Sequence, residues 1–205
     1  MSHYSLVLAT GNAHKVRELF AILSPLVPEL SADSIGTLRD FDVPEPVEDA
    51  PDFAGNALLK ARALAHATGL PCVADDSGLC VDILGGAPGI FSARWCGRHG
   101  DDEANLALLL AQLADVPAKD RGARFTCAAA LVTPAGDEHV EIGHMIGHLV
   151  TEPRGNGGFG YDPIFIADGQ HLTNAELGTE KKNAISHRAH AFAALAPVIA
   201  SALQA

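Results

Sequence analysis

Cations are scarce in this sequence. Fourteen Lys and Arg stand against 25 Asp and Glu, a formal net charge of −11 with neutral histidines. Such a surface repels phosphate backbones and excludes general nucleic-acid binding. A small anion can still bind where the few cations converge or where a divalent metal is present. Cysteine is equally sparse. Cys72, Cys80, Cys96 and Cys127 show no CxxC spacing and sit among apolar residues. They read as reduced core thiols of a cytoplasmic protein, not as a disulfide framework or a zinc site. Apolar runs are too short to span a bilayer, so no membrane role is expected. The start, MSHYSLVLATGN, has neither a basic n-region nor a cleavable apolar stretch, so no secretory signal is expected. Repeats, low-complexity tracts and long linkers are missing as well. The ten histidines are scattered and give no convincing metal-ligand spacing.

What is present is a single domain's worth of chain. The 205 residues, 48% hydrophobic and 19% charged, can bury a sizeable core. Ser5-Leu6-Val7-Leu8-Ala9 reads as a short strand, then Thr10-Gly11-Asn12 as a turn. Val16, Leu19, Phe20 and Leu23 give a helical stripe over 13–23. Lys15 falls in the first turn, where a cation opposes the helix dipole unless an anion is nearby. The P-loop spacing is missing, and an ordinary capped helix explains TGNxxK nearly as well. Residues 31–52 are acidic and interrupted by proline, a loop or short edge segment. A helix is predicted over 53–67, ended by Gly69 and Pro71. Lys60 and Arg62 diverge around it by about 200°, and Asn56 near its start reads first as a cap.

Residues 72–97 are the densest stretch. Cys72-Val73-Ala74 reads as a buried strand ending at Asp75-Asp76-Ser77-Gly78, where chain direction is expected to change. Neighbouring residues of a strand face opposite ways, so the two acids should do different work. One such acid would be explained by turn chemistry alone; DDSG followed by Gly85-Gly86-Ala87-Pro88-Gly89 favours a site. A helix is predicted over 102–114 with Asp101 or Asp102 as its cap. A hairpin of 123–133 and 138–150 follows, with Gly143 and Gly147 as bulges or close approaches; it makes the sheet mixed. RGNGGFGYDP (154–163) places Phe159 where it can stack on a base and Asp162 where it can accept from a donor. Two aromatics anchored in the core are an equal reading. A short strand is predicted at 164–166. Lys181, Lys182, His187 and Arg188 are the densest cations, or a basic helix start facing solvent. A last helix over 184–203 should be kinked or divided at Pro197.

A turn with Lys at a helix start, adjacent acids, a Gly-aromatic loop and a late cation cluster together suit a nucleoside triphosphate with a metal. The blocks LATGNAHKVREL (8–19), FAGNALLKA (53–61), ADDSGLCVDILGGAPGIFSARW (74–95), GGFGYDPIF (157–165) and NAISHRAHA (183–191) resemble, in order, the Ham1/RdgB-type inosine triphosphate pyrophosphatases. The resemblance implies an α/β fold: a long, twisted mixed sheet with flanking helices, in two lobes with a central cleft. It implies a cytoplasmic homodimer that hydrolyses dITP, ITP and XTP to the monophosphate and pyrophosphate with Mg2+. Carried over, Thr10, Gly11, Asn12, Ala13, His14 and Lys15 would hold the triphosphate. Asp76 would be the catalytic base and, with Asp75 and Glu48, a metal ligand. Ser77 would touch substrate, and Phe159, Gly160, Tyr161 and Asp162 would meet nucleoside and base. Lys182, His187 and Arg188 would complete the pocket, the last two at the 6-oxo edge. Two departures are visible: Gly55 where the family usually has Glu, and Ala189 where it usually has Gly.

Overall fold

The computed structural model describes residues 4–10, 13–41, 43, 44 and 46–204, with the side chains of Ala13 and His14 left aside. Among the described residues, six strands form one mixed sheet in the order β2-β1-β3-β4-β5-β6. They are β1 (Leu6–Leu8), β2 (Ile35–Thr37), β3 (Cys72–Val81), β4 (Gly122–Val132), β5 (Glu138–Leu149) and β6 (Phe165–Ala167). β1 runs parallel to β2 and β3, whereas β6 is antiparallel to β5. The helices are α1 (Ala13–Leu23), α2 (Phe53–Thr68), α3 (Asp102–Gln112), α4 (Thr179–Ala184) and α5 (His187–Leu203). The chain divides into two compact units.

The first unit comprises the chain up to Asp76, residues 127–143 and Arg188 onward. Strand parity sorts its side chains. Leu6, Leu8, Val73, Cys127, Ala129 and Leu131 are buried with Leu19 and Leu23 of α1 and Phe192, Leu195 and Ile199 of α5. Val7, Cys72, Ala74, Ala128, Ala130 and Val132 are buried with Ala57, Ala61 and Leu64 of α2. The small residues of β4 let helix α2 approach closely. Asp52 caps α2, accepting from the Gly55 N–H at 2.7 Å. Gly69 ends it in the left-handed region at φ 66°, which costs glycine nothing.

The second unit comprises 77–126 and 144–187. Leu79, Val81, Leu109, Leu113, Phe125, Met145, Ile164 and Phe165 form its core. Among the described residues Arg121 is buried with no carboxylate partner. Its guanidinium instead donates to the Leu113, Val116 and Val150 carbonyls, gathering the chain that leaves α3.

Several expectations need correction. β3 does not end at the acids but continues to Val81, because all of 72–76 and 79–81 are buried and stay in extended pairing. The change of direction comes later, in helical turns at 82–84 and 89–94. Pro197 does not divide the last helix, which runs unbroken to Leu203. The break lies instead at Ile185 and Ser186, between α4 and α5. The cap of α2 is Asp52, not Asn56. Gly147 is a close approach: it pairs with Ala167, and a Cβ on it would run into the Ile166 carbonyl.

Candidate active site

β3 turns its adjacent acids to opposite faces. Asp75 shares the parity of Val73 and lies on the α1/α5 side. Its Oδ2 accepts from Nε and Nη2 of Arg188, both at 3.2 Å, and from Lys15 Nζ at 3.5 Å. Arg188 is 2% exposed, and its Nη1 donates to both Glu18 oxygens at 3.1 and 3.2 Å. Burial alone would raise the pKa of Asp75. The charges of Lys15, Arg188 and Lys60 overcome it, so this carboxyl is held well below the usual range.

Asp76 lies on the α2 side. Its Oδ2 accepts from Asn56 Nδ2 at 3.0 Å, and its Oδ1 is 3.8 Å from Lys60 Nζ. The same ammonium donates to Glu48 Oε1 at 2.9 Å. Asn56 and Lys60, one turn apart on α2, are both buried and aimed at one carboxylate. Asn56 also accepts from the Ala50 N–H at 3.0 Å, which ties down the loop carrying Glu48. Burial pushes the Asp76 pKa up; Lys60 and Asn56 pull it down, and the negative charges of Glu48 and Asp75 add to the rise. The net direction is upward, towards a better proton acceptor. Lys60 stays charged, because the three acids outweigh its burial.

In the second unit the glycine loop is pinned from inside. Tyr161 is a core residue, its hydroxyl donating to the Ser92 carbonyl at 2.9 Å. Burial raises its pKa far above the ordinary phenol value. Asp162, 2% exposed, accepts from the Phe159 N–H at 3.0 Å and from Lys182 Nζ at 2.6 Å through Oδ2. Its Oδ1 accepts from Asn174 Nδ2 at 3.1 Å. The Phe159 ring is 57% exposed, with the Lys182 ammonium 4.7 Å from its centroid. Gly158 sits at φ 73° with the Asp162 carboxylate where a Cβ would be, so only glycine fits. The Gly160 N–H donates to Asp102 at 2.9 Å. His187 is stacked on Phe125, centroids 5.1 Å apart at 16°.

The sequence model of the Ham1 family matches residues 6–198. The chain belongs to the Ham1 family. A dITP/XTP pyrophosphatase of Streptomyces avermitilis is 59% identical over 194 residues, covering 95% of this chain and 96% of the relative. One from Leifsonia xyli subsp. xyli is 56% identical, covering 95% and 94%. Among solved structures, a nucleoside-triphosphatase / dITP/XTP pyrophosphatase of Mycobacterium abscessus superposes with a TM-score of 0.78 at 50% identity, covering 94% of this chain and 98% of that one. A HAM1 protein of Coxiella burnetii gives a TM-score of 0.86 at 38% identity, covering 97% and 100%.

The Ham1 blocks fall as follows. Thr10 closes β1, its N–H bonded to the Leu8 carbonyl at 2.8 Å. Gly11 and Asn12 lie outside the described residues, as do the side chains of Ala13 and His14 at the start of α1. Ser77 follows Asp76 in β3 and is half-buried. Glu48, Asp76, Lys15, Asp75 and Arg188 all belong to the first unit; Phe159, Gly160, Tyr161, Asp162, Lys182 and His187 belong to the second. Sequence reading missed Glu18, Asn56 and Asn174 as partners of charged groups. For Asn56 a signal existed in its i, i+4 spacing from Lys60. At Gly55 a Cβ would meet the Ala50 Cβ at 2.6 Å, so any side chain there requires the 50–52 loop to shift.

The donor set can be tested against magnesium. Among the described residues no group of three His, Cys, Asp or Glu side chains could hold a metal by itself. Two carboxylates, Glu48 and Asp76, do converge on one positive charge. Magnesium is typically held by one or two carboxylates together with substrate phosphates and water, not by an all-protein cage. The residues present fit that arrangement.

Proposed function

We propose that this chain hydrolyses non-canonical purine nucleoside triphosphates of the dITP and XTP type to the monophosphate and pyrophosphate. The observation that carries the reading is the pair Asp76 and Glu48 gathered around Lys60, in a chain of the Ham1 family. Glu48 and Asp76 would hold magnesium, which when bound neutralises charge growing on the departing pyrophosphate. Asp76 accepts the proton of the attacking water at a carboxylate oxygen, and its raised pKa suits it to that task. Asn56 fixes the plane of that carboxylate. Lys60 keeps two acids close without mutual repulsion, and Lys15 with Thr10, Gly11 and Asn12 receives the triphosphate. Attack on the α-phosphorus adds the water oxygen there and expels pyrophosphate.

Asp75, also expected as a metal ligand, has an anchoring part as well. With its Oδ2 engaged by Arg188 and Lys15, it anchors those cations. Arg188 in turn is engaged by Asp75 and Glu18, so the donor we assign to the 6-oxo edge of the base is His187, its ring plane set by Phe125. A 6-oxo group accepts where the adenine 6-amino group donates, and a mismatched buried group costs about 1–3 kcal/mol. Phe159 offers an exposed ring for stacking, and Asp162 orders the loop that carries it. The family resemblance supports a homodimer at work in the cytoplasm. Among the described residues no helix is long and apolar enough to cross a membrane.

Pyrophosphate release from dITP, dATP and dGTP with magnesium tests the reading, in wild type and Asp76→Asn. We expect dITP to be cleaved far faster than the other two, and the substitution to abolish it. Equal cleavage of dATP would sink the substrate assignment. Undiminished cleavage by Asp76→Asn would remove Asp76 from the base role. A nucleotide-binding sensor without turnover is the other reading, and binding of dITP with no release would bring it forward.

A further inference from the structure

We propose that Asn174 is a positioning residue for the nucleoside: its carboxamide fixes Asp162, and through Asp162 the ring of Phe159 and the ammonium of Lys182. The inference rests on the assignment of Phe159 and Asp162 to the nucleoside made above.

Asp162 is the hub of the second unit's polar groups. One oxygen, Oδ2, carries both the backbone N–H of Phe159 and Lys182 Nζ. Lys182 in turn stands against the Phe159 ring. The ring is exposed, and its backbone N–H and the ammonium beside it are both held by Oδ2, so its orientation follows where Oδ2 lies. Rotation of the carboxylate about its Cβ–Cγ bond is restrained at the other oxygen by Asn174 Nδ2. Asn174 is itself set by the backbone: its N–H donates to the Phe165 carbonyl at 2.9 Å, and the next N–H, of Ala175, to the Asp162 carbonyl at 3.3 Å. Asn174 is therefore a fixed post beside a carboxylate that must not turn.

The amide's other end makes the case specific. Only the NH2 group can face a carboxylate, so Oδ1 points elsewhere. That oxygen is fully buried and has no hydrogen-bond partner among the described residues. Asn174 is 2% exposed. A residue kept for packing alone would be apolar here, or satisfied at both ends. An asparagine that leaves a buried acceptor open is retained for what its donor does, and its donor holds Asp162. Loosening that hold displaces the ring from the base, and a misplacement of that kind weakens binding before it slows chemistry.

The test uses the full-length enzyme with dITP and magnesium in four forms: wild type, Asn174→Leu, Asp162→Asn and the double variant. Leucine keeps the branching and heavy-atom count of asparagine and removes the donor. We expect Asn174→Leu to raise KM about tenfold, as loss of a hydrogen bond to a charged group does, with kcat within about threefold of wild type. Its thermal midpoint should fall modestly, because Asp162 Oδ1 loses its donor while the open acceptor of Asn174 is removed. In the Asp162→Asn background the same change should leave KM where it was, because both act through one bond. An unchanged KM in Asn174→Leu overturns the proposal. So does a KM increase of the same factor in both backgrounds, and so does a fall in kcat matched by a fall in thermal midpoint. If Asn174→Leu does not fold, Asn174→Ala is measured against the same criteria. Wild-type enzyme that leaves dITP intact overturns the pyrophosphatase reading and this one with it; wild-type turnover with an unaltered variant overturns this one alone.

Discussion

Two residues with the same side chain, one peptide bond apart, differ in chemistry because of what each one meets. Asp75 meets three cations and is locked as an anion. Asp76 meets one ammonium, one amide and two other acids, and its proton affinity rises. The smallest of these partners is the most informative to remove. Asn56→Leu takes away the donor at 3.0 Å and leaves the charge balance intact. Loss of a hydrogen bond to a charged group is worth about 1.5–3 kcal/mol, so kcat should fall roughly 10- to 100-fold. Steady-state kinetics check this; a change confined to KM would argue that Asn56 serves binding and not the base. The acids were legible in the sequence, since their alternation follows from strand geometry alone. Glu18 as partner of Arg188 and Asn174 as partner of Asp162 were not, because nothing in a linear chain ties residue 18 to residue 188, or 162 to 174, before the backbone is folded.

Helix and strand positions followed closely from periodicity. The stripe of Val16, Leu19, Phe20 and Leu23 put α1 where it lies, and Gly69 with Pro71 marked the end of α2. Failures came where local chemistry was overruled by burial. DDSG reads as a turn on composition, yet those residues continue a buried strand. Pro197 reads as a kink or a division, and α5 is not divided there. The capping of α3 was legible, and it carries a pH signature. Asp101 accepts from the Ala104 N–H at 3.1 Å and pairs with Arg98 at 2.7 Å. The Arg98 hydrogen bond, then that from Ala104, lowers its pKa. A carboxyl with a depressed folded pKa contributes stability above its unfolded value of about 3.9 and loses it as pH falls through the folded value. Asp101→Asn keeps the cap acceptor and deletes the charge. Its thermal midpoint should therefore lie slightly below wild type near neutral pH, the two converging below about pH 4. Parallel curves through that range would detach the cap from the acid sensitivity.

At the scale of the whole molecule, ionic contacts join segments far apart in sequence. Arg188 bonds Asp75 across 113 positions and Glu18 across 170, so the first helix, a central strand and the last helix meet at one buried guanidinium. Removing one partner of a buried ion pair leaves the other uncompensated, typically at about 3–5 kcal/mol. Asp75→Asn should lower the unfolding free energy, measured by urea titration, by an amount in that range. A loss under about 1 kcal/mol would show that Glu18 alone suffices for Arg188. The alternating strand that parts the two acids has a further effect, on how this gene can change. Deleting one codon between Cys72 and Ala74 would shift the frame of the pleat by one place. Each carboxylate would then be delivered to the other's neighbours, the anchor to Lys60 and the base to the guanidinium. Length variation in that stretch is compatible with the chemistry only in steps of two.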